Sequence, residues 1–238
     1  MDRNIIVIPD IHGRTFWKNA VKKHRNHPVV FLGDYVDPYR DEGITDDDAL
    51  ANFKEIIAYA KGHNNVTLLL GNHDLHYLLF GIEFGRYSRR LCREIRRVVE
   101  ENFSLFNLAH YIRNNDKDIL FSHAGILPSW LEREGLLTQG AKEICNHLNA
   151  HLKDEGYLFN LADDVSAYRG GWSNSPSPIW ADVRDHLDEQ SPSEFFQIFA
   201  HTQLTEHIIT EHWACLDCRE AFVLESDCIL TKIDRQES

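Results

Sequence analysis

Long apolar runs are missing from this 238-residue sequence, and none approaches the roughly 18 residues that a membrane-spanning helix needs. The opening stretch, MDRNIIVIPDIHG, lacks a basic segment leading into a long apolar one, so no signal peptide is expected and the cytoplasm is the default location. Positive charge is scarce: 25 Lys and Arg stand against 37 Asp and Glu, a formal net charge of −12. That balance excludes a protein that coats a nucleic-acid backbone or an anionic membrane. It still permits an anionic substrate, because local cations or metals reverse the field inside one pocket. Cysteine is sparse and odd in number, five in all, which does not read as a disulfide framework. Cys215 and Cys218 form a lone C-x-x-C with no second pair at zinc-site spacing, so free thiols are expected.

Strand and helix signals alternate through the first half. NIIVIPD, PVVFLGD and NVTLLLG are short apolar runs of the kind found in buried strands. TFWKNAVKKH, with Thr15 as a possible N-cap, and TDDDALANFKEIIAYAK carry helical spacing between them. Asp46, Asp47 and Asp48 sit in the first turn of the second helix, where the helix dipole favours negative charge, and are read as a helix start rather than a metal site. Residues 87–103 are helical with a basic face whose expected partners are Glu94, Glu100 and Glu101. FNLAHYIRNNDKDILFSHAG reads as a hairpin around Asn114-Asn115-Asp116. A helical stretch over 129–154 follows, then a Gly-, Ser- and Pro-rich loop region over 160–194. FFQIFAHT is a further strand, and the C-terminal stretch reads as short antiparallel strands. No repeat or linker divides the chain, and one α/β domain over 1–238 is expected.

The informative feature is how the buried runs finish. They end at Asp10-Ile11-His12, at Asp34, at Asn72-His73, at His123 and at His201. In open α/β sheets ligands bind beyond the carboxyl ends of the strands, where these residues would converge. Any one His at a strand end is an ordinary core or capping residue, and the His147/His151 pair at i, i+4 lacks a third ligand. The set of carboxylate, imidazole and amide suits borderline or hard divalent metals, and Asp34 could bridge two ions about 3.5–4 Å apart.

DIHG at 10–13, GDYVD at 33–37, GNHD at 71–74, SHAG at 122–125 and AHTQ at 200–203 together resemble the calcineurin-like metallophosphoesterase superfamily. The match is nearest to its serine/threonine phosphoprotein phosphatase branch, which includes bacterial members and symmetrical dinucleoside-polyphosphate hydrolases. The resemblance implies a β-sandwich of two mixed sheets flanked by helices, with a dimetal site at the strand ends. It implies one metal held by Asp10, His12 and Asp34, and a second sharing Asp34 with Asn72, His123 and His201. The ions would be two divalent metals, Mn, Fe or Zn.

A metal-activated hydroxide would then attack phosphorus in line with the leaving oxygen. His73 is the candidate general acid, and by resemblance Asp37 fixes its tautomer and raises its pKa. The branch also supplies an arginine directly after the second Asp of GDYVD, but Pro38 occupies that position and Arg40 follows two residues later. Arg40 and Arg169 are the candidate substrate-binding arginines, and PIWAD at 178–182 resembles the branch's Trp-Ser-Asp stretch. The expected activity is hydrolysis of phosphate monoesters on a protein or small molecule. Hydrolysis of nucleotides or dinucleoside polyphosphates is the alternative, and a non-catalytic scaffold of the same fold is the alternative of another class.

Overall fold

Three short parallel strands carry the first three motifs to one edge of a sheet. The computed structural model describes residues 4–189, 194–226 and 228–233, which divide into two compact units. Of the described residues, the first comprises 4–106, 219–226 and 228–233, the second 107–189 and 194–218. In chain order the elements begin with β1 (Ile5–Ile8), α1 (Phe16–Lys23), β2 (Val29–Phe31), α2 (Asp46–Gly62), β3 (Val66–Leu69), α3 (Asn72–Leu78), α4 (Cys92–Glu101) and β4 (Phe106–Asn107). They continue with β5 (Ala109–Asn114), β6 (Lys117–Ser122), α5 (Pro128–Arg133), α6 (Ala141–Ala150), α7 (Glu155–Asp163) and α8 (Val183–Asp188). The last are β7 (Phe196–Phe199), β8 (Ile208–Ile209), β9 (Trp213–Cys215), β10 (Phe222–Leu224) and β11 (Leu230–Lys232).

One mixed sheet has the order β11-β10-β1-β2-β3-β4. Strands β1, β2 and β3 run parallel, with Val7 opposite Val30 and Val30 opposite Thr67. Parallel neighbours need crossover connections, here α1 and α2, and their carboxyl ends fall on the same edge. Every residue of β1 and β2 is buried, which explains their unbroken apolar sequence. Helix α2 starts at a capping box in which the Thr45 hydroxyl accepts the Asp48 N–H and the Asp48 carboxylate accepts the Thr45 N–H. Its inward face includes Phe53, stacked on Tyr35 with ring centroids 4.9 Å apart.

The second mixed sheet has the order β5-β6-β7-β9-β8. The β5–β6 hairpin turns at Asn115, which adopts φ 50°, a left-handed value that asparagine tolerates. Strands β6, β7 and β9 are mutually parallel, with Leu120 opposite Gln197 and Ile198 opposite Ala214. Adjacent parallel strands β6 and β7 therefore bring His123 and His201 to the same edge. This pattern of two mixed sheets with helices is the expected fold class. No helix among the described residues is long and apolar enough to cross a membrane.

Four local expectations change. Thr15 precedes α1 but its side chain makes no capping hydrogen bond. The stretch 129–154 contains two helices, α5 and α6, rather than one. Within 160–194 the chain forms the end of α7 and all of α8, because Asp182 and Asp185 build a capping box inside what reads as loop sequence. The basic face of α4 is not simply solvated either. Arg96 donates to the carbonyls of Tyr77 (2.6 Å) and Leu78 (2.9 Å), a cation on the carboxyl end of α3, while Arg97 meets an expected glutamate, Glu101.

Candidate metal-ligand clusters and the Asp37 network

In the first unit, ligand atoms of Asp10, His12 and Asp34 all lie within 4.8 Å of one another, and all three residues are buried. His12 Nε2 stands 3.9 Å from Asp10 Oδ2 and 3.5 Å from Asp34 Oδ2. The other ring nitrogen, Nδ1, is 2.9 Å from the Val36 carbonyl, which assigns the proton to Nδ1 and leaves a lone pair on Nε2. Burial holds the His12 pKa well below the usual imidazole value, so the ring is neutral and able to ligate.

The turns that present these groups are unusual for their residue types. His12 (φ 43°), Asp34 (φ 54°) and Asp37 (φ 59°) are all left-handed, each costing about 1–3 kcal/mol that the surroundings must offset. Asp74 provides the restraint. Its carboxylate accepts the N–H groups of Asp34 (2.7 Å), Tyr35 (3.1 Å) and Gly71 (2.8 Å), fixing the end of β2 against the start of α3. The N–H groups of Ile11 and His12 both donate to the Asp34 carbonyl, at 3.1 and 2.7 Å. Gly13 completes the corner at φ 80°, where an added Cβ would sit 2.9 Å from Ala49 Cβ. Only glycine allows α2 this close.

Asp37 is the hub of the neighbouring network. Its Oδ2 accepts from His73 Nδ1 at 2.8 Å and lies 2.7 Å from His76 Nε2, while its Oδ1 accepts a short hydrogen bond from the Tyr77 hydroxyl. The Phe84 N–H donates to His76 Nδ1 at 3.2 Å, which puts the His76 proton on Nε2, toward Asp37. Burial pushes the Asp37 carboxyl up, but the hydrogen bonds from His73 and His76 outweigh it and the net shift is downward. For His73 the expected upward pull of Asp37 is present, but it is outweighed. Burial pulls its pKa down to about 4, overcoming the upward pull of Asp37. A phosphate dianion beside the ring acts in the same direction as Asp37.

Arg86 was not singled out by the sequence, yet its guanidinium reaches this centre. Nε donates to the Asp37 carbonyl at 3.0 Å, and Nη2 lies 3.3 Å from His12 Nε2 and 3.2 Å from His73 Nε2. The Tyr39 ring lies beneath it, 3.8 Å from guanidinium carbon to ring centroid. Arg40 is exposed, at the start of a 3-10 turn over Arg40–Glu42.

In the second unit, His123 Nε2 and His201 Nδ1 are 3.1 Å apart and both rings are buried. His201, another left-handed residue at φ 65°, meets the edge of Trp180 at 5.3 Å between centroids. Arg169 Nε donates to His201 Nε2 at 3.1 Å, and its Nη2 donates to the His201 carbonyl at 2.7 Å. Arg169 Nε also stands 3.7 Å from the buried Asp182 carboxylate of the PIWAD stretch. Gly125 of SHAG, at φ 81°, would place a Cβ 2.4 Å from His186 Nε2.

These residues fit divalent cations. Asp34 is 1% exposed, and burial pushes its carboxyl well above the ordinary carboxylate range. A buried anion with that penalty is stabilised by a cation, and the nearby His12 lone pair and Asp10 carboxylate complete a hard-to-borderline donor set. In the second unit two imidazole nitrogens already face each other, and binding of an ion there would release the proton they share.

A family model described as calcineurin-like phosphoesterase matches residues 3–205. The chain belongs to that family. Among solved structures, it resembles a cold-active protein-tyrosine phosphatase of a Shewanella species with TM-score 0.61, 14% identity, and coverage of 98% of this chain and 81% of that one. A protein serine/threonine phosphatase from Saccharomyces cerevisiae gives TM-score 0.58 at 15% identity, covering 100% of this chain and 81% of that one. At these identities the likeness is one of fold. A curated relative, the symmetrical bis(5'-nucleosyl)-tetraphosphatase of Salmonella paratyphi C, is 30% identical over 127 residues, 50% of this chain and 42% of the relative. The same enzyme of Salmonella typhimurium matches over the same shares, so less than half of these relatives' length is spanned.

The calcineurin-like phosphoesterase family uses divalent metals, and the buried ligand clusters agree with that. Two residues that sequence reasoning left without a role, Asp74 and His76, prove to hold the site together. The signal for Asp74 was present, since it ends the GNHD motif and sits at N3 of α3.

Proposed function

We propose that this calcineurin-like phosphoesterase acts as a single metal-dependent phosphatase domain over residues 1–238, hydrolysing phosphate monoesters of proteins or small molecules. The observation that carries this reading is the Asp37–His73 hydrogen bond adjoining the Asp10–His12–Asp34 cluster. A general acid beside a cation site is what phosphoryl transfer to water requires. Asp10, His12 and Asp34 would hold one ion, and Asp34, Asn72, His123 and His201 the other. Two such ions, Mn, Fe or Zn, supply charge neutralisation at phosphorus and lower the pKa of water to near neutrality.

The chain's own groups do the rest. Asp37 keeps the His73 proton on Nδ1, so Nε2 is the nitrogen that delivers a proton to the leaving oxygen. Asp74 restrains the left-handed Asp34 turn, and Arg169 contacts the His201 imidazole. Arg40 and Arg169 bind substrate oxygens in this reading. The five cysteines are free thiols, which suits a reducing compartment such as the cytoplasm.

A second reading, hydrolysis of nucleotides or dinucleoside polyphosphates, is favoured by the 30% identity to the symmetrical tetraphosphatase. The deciding experiment measures phosphate release from p-nitrophenyl phosphate with and without manganese. It is then extended to phosphopeptides, mononucleotides, dinucleoside polyphosphates and cyclic diesters at fixed metal. Absence of any metal-dependent release would overturn the enzyme reading in favour of a scaffold.

A further inference from the structure

We infer that a recess between α5 and α7, within the second unit, is a binding site for a small organic cation: a protonated amine that also carries a carbonyl or hydroxyl oxygen. None of the residues lining it belongs to either metal-ligand cluster, and the site does not depend on the phosphatase reading.

Two short helices supply the walls through ordinary helical spacing. Trp130, Arg133 and Glu134, at i, i+3 and i+4, share one face of α5 and its C-cap. Tyr157, Leu161 and Asp164, at i, i+4 and i+7, share one face of α7 and its C-cap. The recess between them has a volume of about 370 Å³, toward the lower end of the range for small-molecule sites.

Two polar groups on these walls lack partners. Trp130 is wholly buried, yet its indole N–H meets no acceptor, and the buried Tyr157 hydroxyl has no partner either. Burial pushes the Tyr157 hydroxyl pKa up and Glu134 pushes it further, so the group stays protonated and able to donate. Buried donors without acceptors carry a desolvation penalty that a ligand oxygen removes. The His147/His151 pair, which lacks a third metal ligand, has a different place here. His151 stacks on the Tyr157 ring with centroids 4.6 Å apart, and His147 meets the same ring at 6.0 Å, so the hydroxyl is held in position.

Charge sets the sign of the ligand. On the lining, Arg133 stands against three carboxylates, Glu134, Asp163 and Asp164. Arg133 is already engaged, 2.6 Å from Asp164 and 3.5 Å from Glu134, and it donates to the Ser175 carbonyl at 3.0 Å. Those contacts hold the rim in place before any ligand arrives. Asp163, in the last turn of α7, has no cationic partner among the described residues. An anion would meet net repulsion, and a neutral molecule would leave the excess carboxylates uncompensated. An ammonium group answers the carboxylates, and an oxygen a few bonds away answers the indole and hydroxyl donors. A bare metal ion fits less well: among the described residues, the clusters whose ligand atoms converge within 4.8 Å all lie elsewhere.

The test is calorimetric titration of the full chain with lysinamide, cadaverine and hexanamide. Cadaverine has the ammonium groups and no oxygen, whereas hexanamide has the amide oxygen and no charge. Lysinamide should bind about tenfold or more tighter than hexanamide. It should bind about three- to tenfold tighter than cadaverine, the ratio one hydrogen bond supplies. Tyr157→Phe removes only the hydroxyl, and should weaken lysinamide about threefold or more while leaving cadaverine within about twofold. Asp163→Asn, at an exposed position that tests the charge should Tyr157→Phe disturb α7, should weaken both amines about threefold. Equal binding of lysinamide and hexanamide, no heat from any probe at millimolar concentration, or amine affinities unchanged in both variants would overturn the site. Binding is read without turnover, so the result is independent of whether the chain hydrolyses a phosphate ester.

Discussion

His73 Nδ1 and Asp37 Oδ2 are joined by a 2.8 Å hydrogen bond, and the same carboxylate is approached by His76 and Tyr77. The carboxylate that orients the imidazole is thus itself held by two neighbours. Asp37→Asn should lower kcat on alkyl phosphates by about 10²-fold, within the range for a positioned acid, with metal content unchanged. Removing the anion lowers the His73 pKa, so the alkaline limb of the kcat–pH profile should move to lower pH. A profile that keeps its shape would remove Asp37 from the mechanism.

His73→Asn should show a dependence on leaving group. Its loss is expected to be about 10²- to 10³-fold for an alkyl phosphate and several-fold smaller for p-nitrophenyl phosphate, whose phenolate departs without much protonation. Metal stoichiometry by mass spectrometry should match wild type. Equal losses on both esters would argue that His73 serves structure alone.

Asp34→Asn separates the cost of the buried carboxylate from its use. Asparagine tolerates the left-handed φ of 54° and keeps an acceptor for the His73 N–H, which donates to Asp34 Oδ1 at 3.0 Å. Burial disfavours the ionised form of Asp34, so in chelator the variant should melt about 2–4 °C above wild type. With manganese the order should reverse. Calorimetry in both conditions reads the sign directly, and a variant less stable in both would contradict a cation-binding role.

A fourth expectation concerns His186, buried against Phe199 with its Nε2 3.0 Å from the Ala124 carbonyl. Burial lowers its pKa from 6.5 to about 4. Between these values the unfolded chain binds a proton that the folded chain does not, so stability should fall as pH drops through that window and level off below it. The contribution is on the order of 3 kcal/mol. His186→Gln, which keeps a donor for the carbonyl, should flatten the slope of stability against pH over that window without abolishing it, since His12, His73 and His110 are also lowered by burial. Urea denaturation at a series of pH values measures it.

Much of the site was legible because strand ends are marked by composition. An apolar run that leads to Asp, Asn or His announces both a buried strand and a polar group at its carboxyl end; β1 and β2 show it unbroken, and β3, β6 and β7 show it in their last residues. The hairpin at Asn115 and the acidic start of α2 at Asp46 were legible for the same reason, being local chemistry within a few residues. Helix α8 was not, because its capping Asp182 sits in a stretch whose glycines, serines and prolines read as loop. Arg86 was hidden more deeply. It contacts Asp37 and His12 across 49 and 74 positions, and no spacing rule reaches that far.

The sequence by itself determined the candidate site's chemistry: which residue types stand at the ends of the buried runs, in what order, and with an arginine withheld at Pro38. Tertiary structure alone decided how those groups are held. Left-handed turns at His12, Asp34 and Asp37 exist only because Asp74 and neighbouring backbone groups restrain them, and Arg86 enters from a distant loop. The difference is physical. Burial patterns are written along the chain, whereas the cost of an unfavourable backbone angle, and the cation that approaches it, are settled by partners far away in sequence.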